Sequence, residues 1–217
     1  MFNFSIARNH MIESQIRTND VTDLSVIAAF RKVERENFVP KSRSALAYSD
    51  SHVQIDSQRW LAKPRDFSKL VQAANIEPQD IVLDIGCGRG YSTAILANIA
   101  ETVVGLEDDE ARVERATKEL ESAGIANAAV VKGELKAGAS EHGPFDVIFI
   151  NGSISELSKS WLDQLSSGGR LVCVKQNGPI GHATIYTRVG DSVGERILFD
   201  ANIPALPGFE SKKEFAF

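Results

Sequence analysis

Apolar residues in the first 40 positions recur at helical spacing. Ile6, Met11, Ile12 and Ile16 come first, and Val26, Ile27, Phe30 and Val33 follow a polar break at Thr18-Asn19-Asp20. The pattern predicts two helices, the second capped by Thr22 and the run ended by Pro40. Residues 41–64 show no clear period and contain Tyr48, Trp60 and Pro64. Phe67, Leu70, Val71 and Ala74 then share one face of a predicted helix over Arg65–Ile76. From residue 81 the period changes. Short β-rich runs at Ile81–Ile85, Thr102–Glu107, Ala128–Lys132, Phe145–Ile150 and Arg170–Lys175 alternate with helical stretches, which fill the first two gaps and Ser155–Leu165. Such alternation predicts an α/β fold, a mostly parallel sheet with helices on both faces. Thr184–Val189 and Arg196–Asp200 are joined by a turn too short for a helical crossover, so antiparallel C-terminal strands are expected.

Composition narrows the function classes. A chain of 217 residues, 43% hydrophobic, can bury one substantial core but not two equal ones. A net charge of −5 supplies no basic field, so neither nucleic acid nor an anionic membrane is an expected partner. The N-terminus lacks a secretory pattern and no window approaches a membrane span, which leads to an expected cytoplasmic protein. Cys87 and Cys173 are too few for a disulfide framework or a zinc site, and each reads as a buried reduced thiol. His10, His52, His142 and His182 are isolated in sequence and read as surface or structural. No metal site is expected.

Chemistry concentrates at Val82–Ser92, VLDIGCGRGYS, where the first predicted strand runs into a helix over Tyr91–Ile99. Glycines there allow a sharp turn and close approach of a ligand, and the ligand crevice of an open α/β sheet lies at these strand ends. The loop lacks the Lys-Ser/Thr pair of a phosphate-binding loop. Its third glycine, Gly90, falls two positions after Gly88 rather than the three of a dinucleotide fingerprint. Asp84 beside the turn would repel a pyrophosphate but suits an ammonium group. Glu107 closes the second strand at the distance where an acid reaches ribose hydroxyls, and Gly133-Glu134 after the third strand is placed to line an adenine. Glu107 also opens the acidic run 107–110, a common helix-start pattern, and Glu134 also reads as an exposed turn residue. Together, Asp84, Gly86, Gly88, Gly90, Glu107, Gly133 and Glu134 resemble the cofactor site of the Rossmann-like class I methyltransferases, which implies S-adenosyl-L-methionine as the methyl donor.

A second resemblance covers the N-terminal half. Met11-Ile12-Glu13-Ser14-Gln15-Ile16-Arg17, Val21-Thr22-Asp23, Arg35-Glu36-Asn37-Phe38-Val39-Pro40 and Ala47-Tyr48-Ser49-Asp50 are similar to the opening of the protein-L-isoaspartate (D-aspartate) O-methyltransferases. The similarity spans residues 10–176. It implies methyl transfer to the carboxylate of isoaspartyl residues in damaged proteins, with a helical extension and substrate-side segment over 1–78 and a cofactor-binding core over 79–217, in one compact domain. A carboxylate is already ionised near neutral pH, so this chemistry needs no general base. Holding nucleophile and methyl near contact can supply most of the acceleration, with effective molarities of ~10⁵ M or more.

The pattern departs from the family in two places. The family carries Gly-Gln-Thr-Ile-Ser-Gln-Pro before the core, and alignment on Pro64 puts Ala62 where its serine belongs. Ser57 would replace that hydroxyl only if the loop ran differently. Arg59 and Lys63 read either as ligands for an acceptor carboxylate or as solvated loop cations, while Trp60 is expected to pack against the core. Asn151-Gly152-Ser153 stands where the family has a Thr-Ala-Ala-like stretch. Two alternatives therefore stay open: a methyltransferase with a different acceptor, and a non-catalytic S-adenosylmethionine-binding protein. A metal-dependent catechol-type enzyme is disfavoured because Phe149-Ile150-Asn151-Gly152 lacks an acidic cluster.

Overall fold

The computed structural model describes residues 3–176 and 178–210. The first two residues of the predicted helical opening, and residues 177 and 211–217 of the expected core segment, lie outside them. Helix α1 (Phe4–Met11) is capped by Asn3 and continues through a π-helical turn, Ile12–Ile16, to the break at Asp20, φ +65°. The cap of α2 (Leu24–Lys32) is Asp23, not Thr22. The Asp23 carboxylate accepts from Ser25 N at 2.8 Å and Val26 N at 3.2 Å, adding a negative charge at the positive end of the helix, while Thr22 N donates to Gln72.

The aperiodic stretch holds a small hairpin, β1 (Val53–Gln54) and β2 (Trp60–Leu61), paired antiparallel with Val53 opposite Leu61. Pro64 then starts α3 (Pro64–Ala73), where its missing N–H costs nothing. This helix ends three residues before the predicted Ile76, because Asn75 turns to φ +46°.

The core is one sheet of seven strands: β3 (Ile81–Ile85), β4 (Thr102–Glu107), β5 (Ala128–Lys132), β6 (Phe145–Ile154), β7 (Leu165–Gln176), β8 (Gly181–Val189) and β9 (Ser192–Asp200). Their spatial order is β5-β4-β3-β6-β7-β8-β9; β8 pairs antiparallel with β9, as expected, and also with β7, and the remaining pairs are parallel. Helices α4 (Tyr91–Ala97) and α5 (Glu110–Ser122) follow β3 and β4. The helix expected over Ser155–Leu165 is confined to α6 (Lys159–Asp163), because Ser155 bonds the carbonyls of Phe209 and Glu210 instead of starting a helix. The chain winds outward from β3 through β4 to β5, then returns to the other side at β6. A reversal of this kind opens a crevice outside the carboxyl ends of the two central strands.

Alternation along β3 sends its side chains to two cores. Val82 belongs to the same core as Met11, Phe30, Phe38 and Tyr91, and Leu83 and Ile85 to the second core, with Ile148, Ile150 and Trp161. The N-terminal helices thus share a core with the sheet and carry the 53–61 hairpin to the rim of the crevice. Among the described residues no helix is long and apolar enough to cross a membrane.

Candidate active site

Asp84 is the penultimate residue of β3, and its carboxylate is fully buried among donors. Ser92 and Thr93, in the first turn of α4, both donate hydroxyls to Oδ2 at 2.7 Å, and Asn151 donates its amide to Oδ1. A carboxylate has about four acceptor positions, so one remains open. Gly105, opposite Asp84 in β4, makes room for this cluster: a Cβ there would stand 3.2 Å from the Thr93 hydroxyl. Burial pushes the Asp84 carboxyl up to about 6 against the pull of its three donors. Burial also drives the Cys87 thiol well up, which removes it as a nucleophile.

Gly86, Gly88 and Gly90 all turn at positive φ, +72°, +63° and +87°, so the loop after β3 needs glycine at each. Glu107 lies fully buried beside this loop and accepts from Gly88 N at 2.7 Å. Burial raises its carboxyl above the ordinary range, opposed by the Arg59 guanidinium and the Gly88 amide. Gly133 N–H bonds the Glu107 carbonyl at 2.9 Å, and Glu134 is exposed at the following turn.

The substrate-side segment is arranged differently from the expectation. Arg59 is neither a solvated cation nor a free carboxylate ligand. Its guanidinium clasps both Glu107 oxygens, at 2.9 and 2.8 Å, and Asp108 at 2.9 Å, and its side chain is 3% exposed. Trp60, expected in the core, is 39% exposed at the rim of a cavity that Ala62 also lines. In a two-residue strand the alternation that buries Leu61 turns Trp60 outward. Ser57 is exposed and faces an outer groove beside Arg89 and Asp109. Lys63 pairs with Asp66 at 3.4 Å, and its N–H donates to His52 Nδ1 at 3.1 Å. His52 also bonds the Asn202 carbonyl through Nε2, so it is structural, and burial holds its pKa down.

Several site residues escaped sequence reading. Ser92 and Thr93 stand eight and nine positions after Asp84, and their hydroxyls on the first turn after the loop were the available signal. Arg35 is fully buried and holds the carbonyls of Ala47 and Ala62 at 2.6 and 2.7 Å, with its guanidinium 4.7 Å from the centre of the Tyr91 ring. Beyond Phe149 the register of β6 against β7 slips, and Gly152 at φ +147° lets the returning tail sit against the strand, with Leu206 N donating to the Ser153 carbonyl at 2.9 Å. The tail places Leu206 directly over Gly86. Among the described residues no group of His, Cys, Asp or Glu is arranged to hold a metal ion.

This arrangement has relatives. The family model described as protein-L-isoaspartate(D-aspartate) O-methyltransferase matches residues 6–192. A protein-L-isoaspartate O-methyltransferase from Protochlamydia amoebophila is 38% identical over 162 residues, 75% of this chain and 77% of the relative. One from Geotalea uraniireducens is 34% identical over 195 residues, 90% of this chain and 88% of the relative. Among solved structures, one named protein-L-isoaspartate O-methyltransferase superposes with a TM-score of 0.80 at 23% identity, covering 93% of this chain and 66% of that longer one. A Plasmodium falciparum protein solved in complex with S-adenosyl-L-homocysteine superposes at 0.77 and 19% identity, covering 95% and 99% of the two chains. Likeness at this level of identity speaks for the shared fold.

Proposed function

The chain belongs to the protein-L-isoaspartate(D-aspartate) O-methyltransferase family, and from that premise we propose that it transfers a methyl group from S-adenosyl-L-methionine to the carboxylate of isoaspartyl residues in damaged cytoplasmic proteins. The observation that carries the reading is the pair of fully buried acids, Asp84 and Glu107, at the carboxyl ends of adjacent strands on either side of a glycine loop at positive φ. The donor set fits the cofactor's chemistry. Asp84, with one acceptor position open, suits an ammonium; Glu107 suits two ribose hydroxyls; Gly133 and Glu134 follow at the adenine end. When bound, the cofactor supplies an electrophilic methyl on a sulfonium.

The chain's own part is to hold and to exclude water. Asn151, Ser92 and Thr93 fix Asp84 in one orientation. Arg35 sets the backbone of Ala62 on the acceptor side. Phe67, Tyr91 and Leu61 supply the apolar part of the cavity wall, which limits hydration of an acceptor carboxylate, beside the polar Arg35, Ser92 and Asn151. No side chain has to take a proton, since the acceptor arrives ionised.

Incubation with labelled S-adenosyl-L-methionine and an isoaspartyl peptide, beside its normal aspartyl isomer, tests the reading. Label on the isoaspartyl peptide alone supports it; measurable cofactor binding with label on neither peptide would overturn it. Ala62 favours a second reading, a methyltransferase with a different acceptor, because the acceptor wall lacks the family's hydroxyl.

A further inference from the structure

The acids at the strand ends suit the cofactor, but the protein itself fills the space above them. Ile55 Cδ1 lies over Gly88 and Leu206 Cδ1 over Gly86, each 2.6 Å from where a Cβ would stand. Arg59 covers Glu107. A cavity of about 10 Å³ remains, roughly the room of one water, whereas ligands of the cofactor's size occupy pockets of ~300 Å³ or more.

Resting on the cofactor reading above, we infer that the 53–61 hairpin is a displaceable plug in which Arg59 takes, on Glu107, the place of the cofactor's ribose hydroxyls. A carboxylate built to accept two hydroxyls would be a bare charge in a closed, dry pocket, a costly state. Arg59 removes that cost with a bidentate pair of the same span. The hairpin is packed on the main core through Val53, Ile55 and Leu61, but its other ties are few. Its strands have two residues each and do not join the main sheet. Its tip is held by side chains: Arg112, on α5, bonds Asp56 at 2.8 Å and Gln58 at 3.1 Å, and shares Asp108 with Arg59. The Asp56 and Asp108 side chains are 34% and 41% exposed, so water can compete for these bonds. The base is fixed more firmly, with His52 bridging Lys63 N and the Asn202 carbonyl.

Two consequences follow for the reaction. The cofactor binds only the fraction of molecules whose hairpin is open, so its apparent affinity is weakened by that fraction. Trp60, Leu61 and Ala62 follow Arg59 directly, so entry of the donor reshapes the acceptor wall and the donor binds before the acceptor.

The test is binding of S-adenosyl-L-homocysteine to the full chain, measured by calorimetry and by stopped-flow tryptophan fluorescence. Trp60 is exposed on the hairpin, whereas Trp161, the other tryptophan, is fully buried. In the wild type the observed binding rate should level off with ligand concentration, at the rate of opening, and acrylamide quenching of Trp60 should change on binding. Arg112→Ala loosens the tip without touching Glu107, and Arg59→Met removes the stand-in while keeping apolar bulk. Both should bind roughly tenfold tighter or better and show rates linear in ligand, although both lose thermal stability. A merely structural Arg59 would lower stability and affinity together. Unchanged or weaker binding in both variants overturns the plug, as does unaltered Trp60 quenching. Absence of binding in wild type and variants overturns the plug and the cofactor reading alike. Plug behaviour without methylation of isoaspartyl peptide leaves the plug standing and removes only the proposed acceptor.

Discussion

Arg59 and Glu107, 48 residues apart in sequence, form a bidentate ion pair in which neither side chain is more than 3% exposed. Two such charges cost a great deal to desolvate, and each is tolerable because the other is there. Removing one alone is therefore expected to cost about 3 kcal/mol or more. Glu107→Gln and Arg59→Met should each destabilise the fold by that order, while the double variant loses clearly less than the two together. Urea unfolding of the four proteins reads the coupling. Additive losses would mean that the pair contributes little to the folded state. The same logic makes Glu107→Ala a poor probe of cofactor binding, because it strands a buried guanidinium.

Asp84 gives the fold a pH dependence of definite sign. Its carboxyl is held near 6, above the value of about 4 for a free aspartate. Between those values the folded chain binds more protons than the unfolded one. The Asp84 contribution to stability is therefore present below about pH 4 and lost as pH rises to about 6, by up to about 3 kcal/mol, and is flat above. Other carboxylates slope the opposite way, since Arg112 holds Asp56 down after burial raises it. The quantity to measure is thus the difference between wild type and Asp84→Asn. The variant should gain on the wild type as pH rises from 4 to 6, while losing cofactor affinity at neutral pH. A difference independent of pH would place the Asp84 titration elsewhere.

Where hydrophobic period and strand burial coincide, the sequence was a good guide. Ile81–Ile85 and Thr102–Glu107, buried beyond their first residue, are strands with those bounds, and so is the half-exposed edge strand Ala128–Lys132. Strands β6 and β7 outrun the expected Phe145–Ile150 and Arg170–Lys175 because Asn151-Gly152 and Gly168-Gly169 look like loop residues yet fall in irregularities that interrupt the pairing without ending the strands. The glycine loop and its two acids were legible because they are local. Who partners them was not. Arg59 on Glu107, Asn151 on Asp84 and His52 on Asn202 join residues 48, 67 and 150 positions apart, and nothing in a single period announces such pairs. The hairpin was also invisible, since two-residue strands carry no alternation to read.

Arg35 is a further buried charge, and its partners differ in kind. It has no carboxylate within ion-pairing distance among the described residues and is held by two carbonyls and the Tyr91 ring. The Arg35 charge also acts on the buried Tyr91 hydroxyl, opposing the rise that burial imposes on it. Arg35→Lys keeps the charge but cannot span the carbonyls of Ala47 and Ala62 with a planar fork. A loss of about 2 kcal/mol is expected from one charged hydrogen bond, together with a rise in KM for the acceptor and little change in S-adenosyl-L-homocysteine affinity. Thermal unfolding and peptide kinetics check both. Equal losses for donor and acceptor would show that Arg35 supports the whole site and not the Ala62 side in particular.

Ala62 decides how far the acceptor site resembles that of its relatives. It is half-buried, its carbonyl is fixed by Arg35, and it lines the same small cavity as Ser92 and Asn151. Ala62→Ser adds one oxygen to that wall without altering the strand or the Arg35 bond, so the fold should tolerate it. If only the missing hydroxyl limits the reaction, the added donor can hydrogen-bond an acceptor carboxylate. A bond of that class is worth about 1.5–3 kcal/mol, enough to raise kcat/KM for an isoaspartyl peptide roughly tenfold or more. The control is the aspartyl isomer, whose methylation should stay at background. A serine variant that binds S-adenosyl-L-homocysteine as the wild type does, yet methylates the isoaspartyl peptide no faster, would mean that the segment from Ser57 to Pro64 has been rebuilt around a different acceptor.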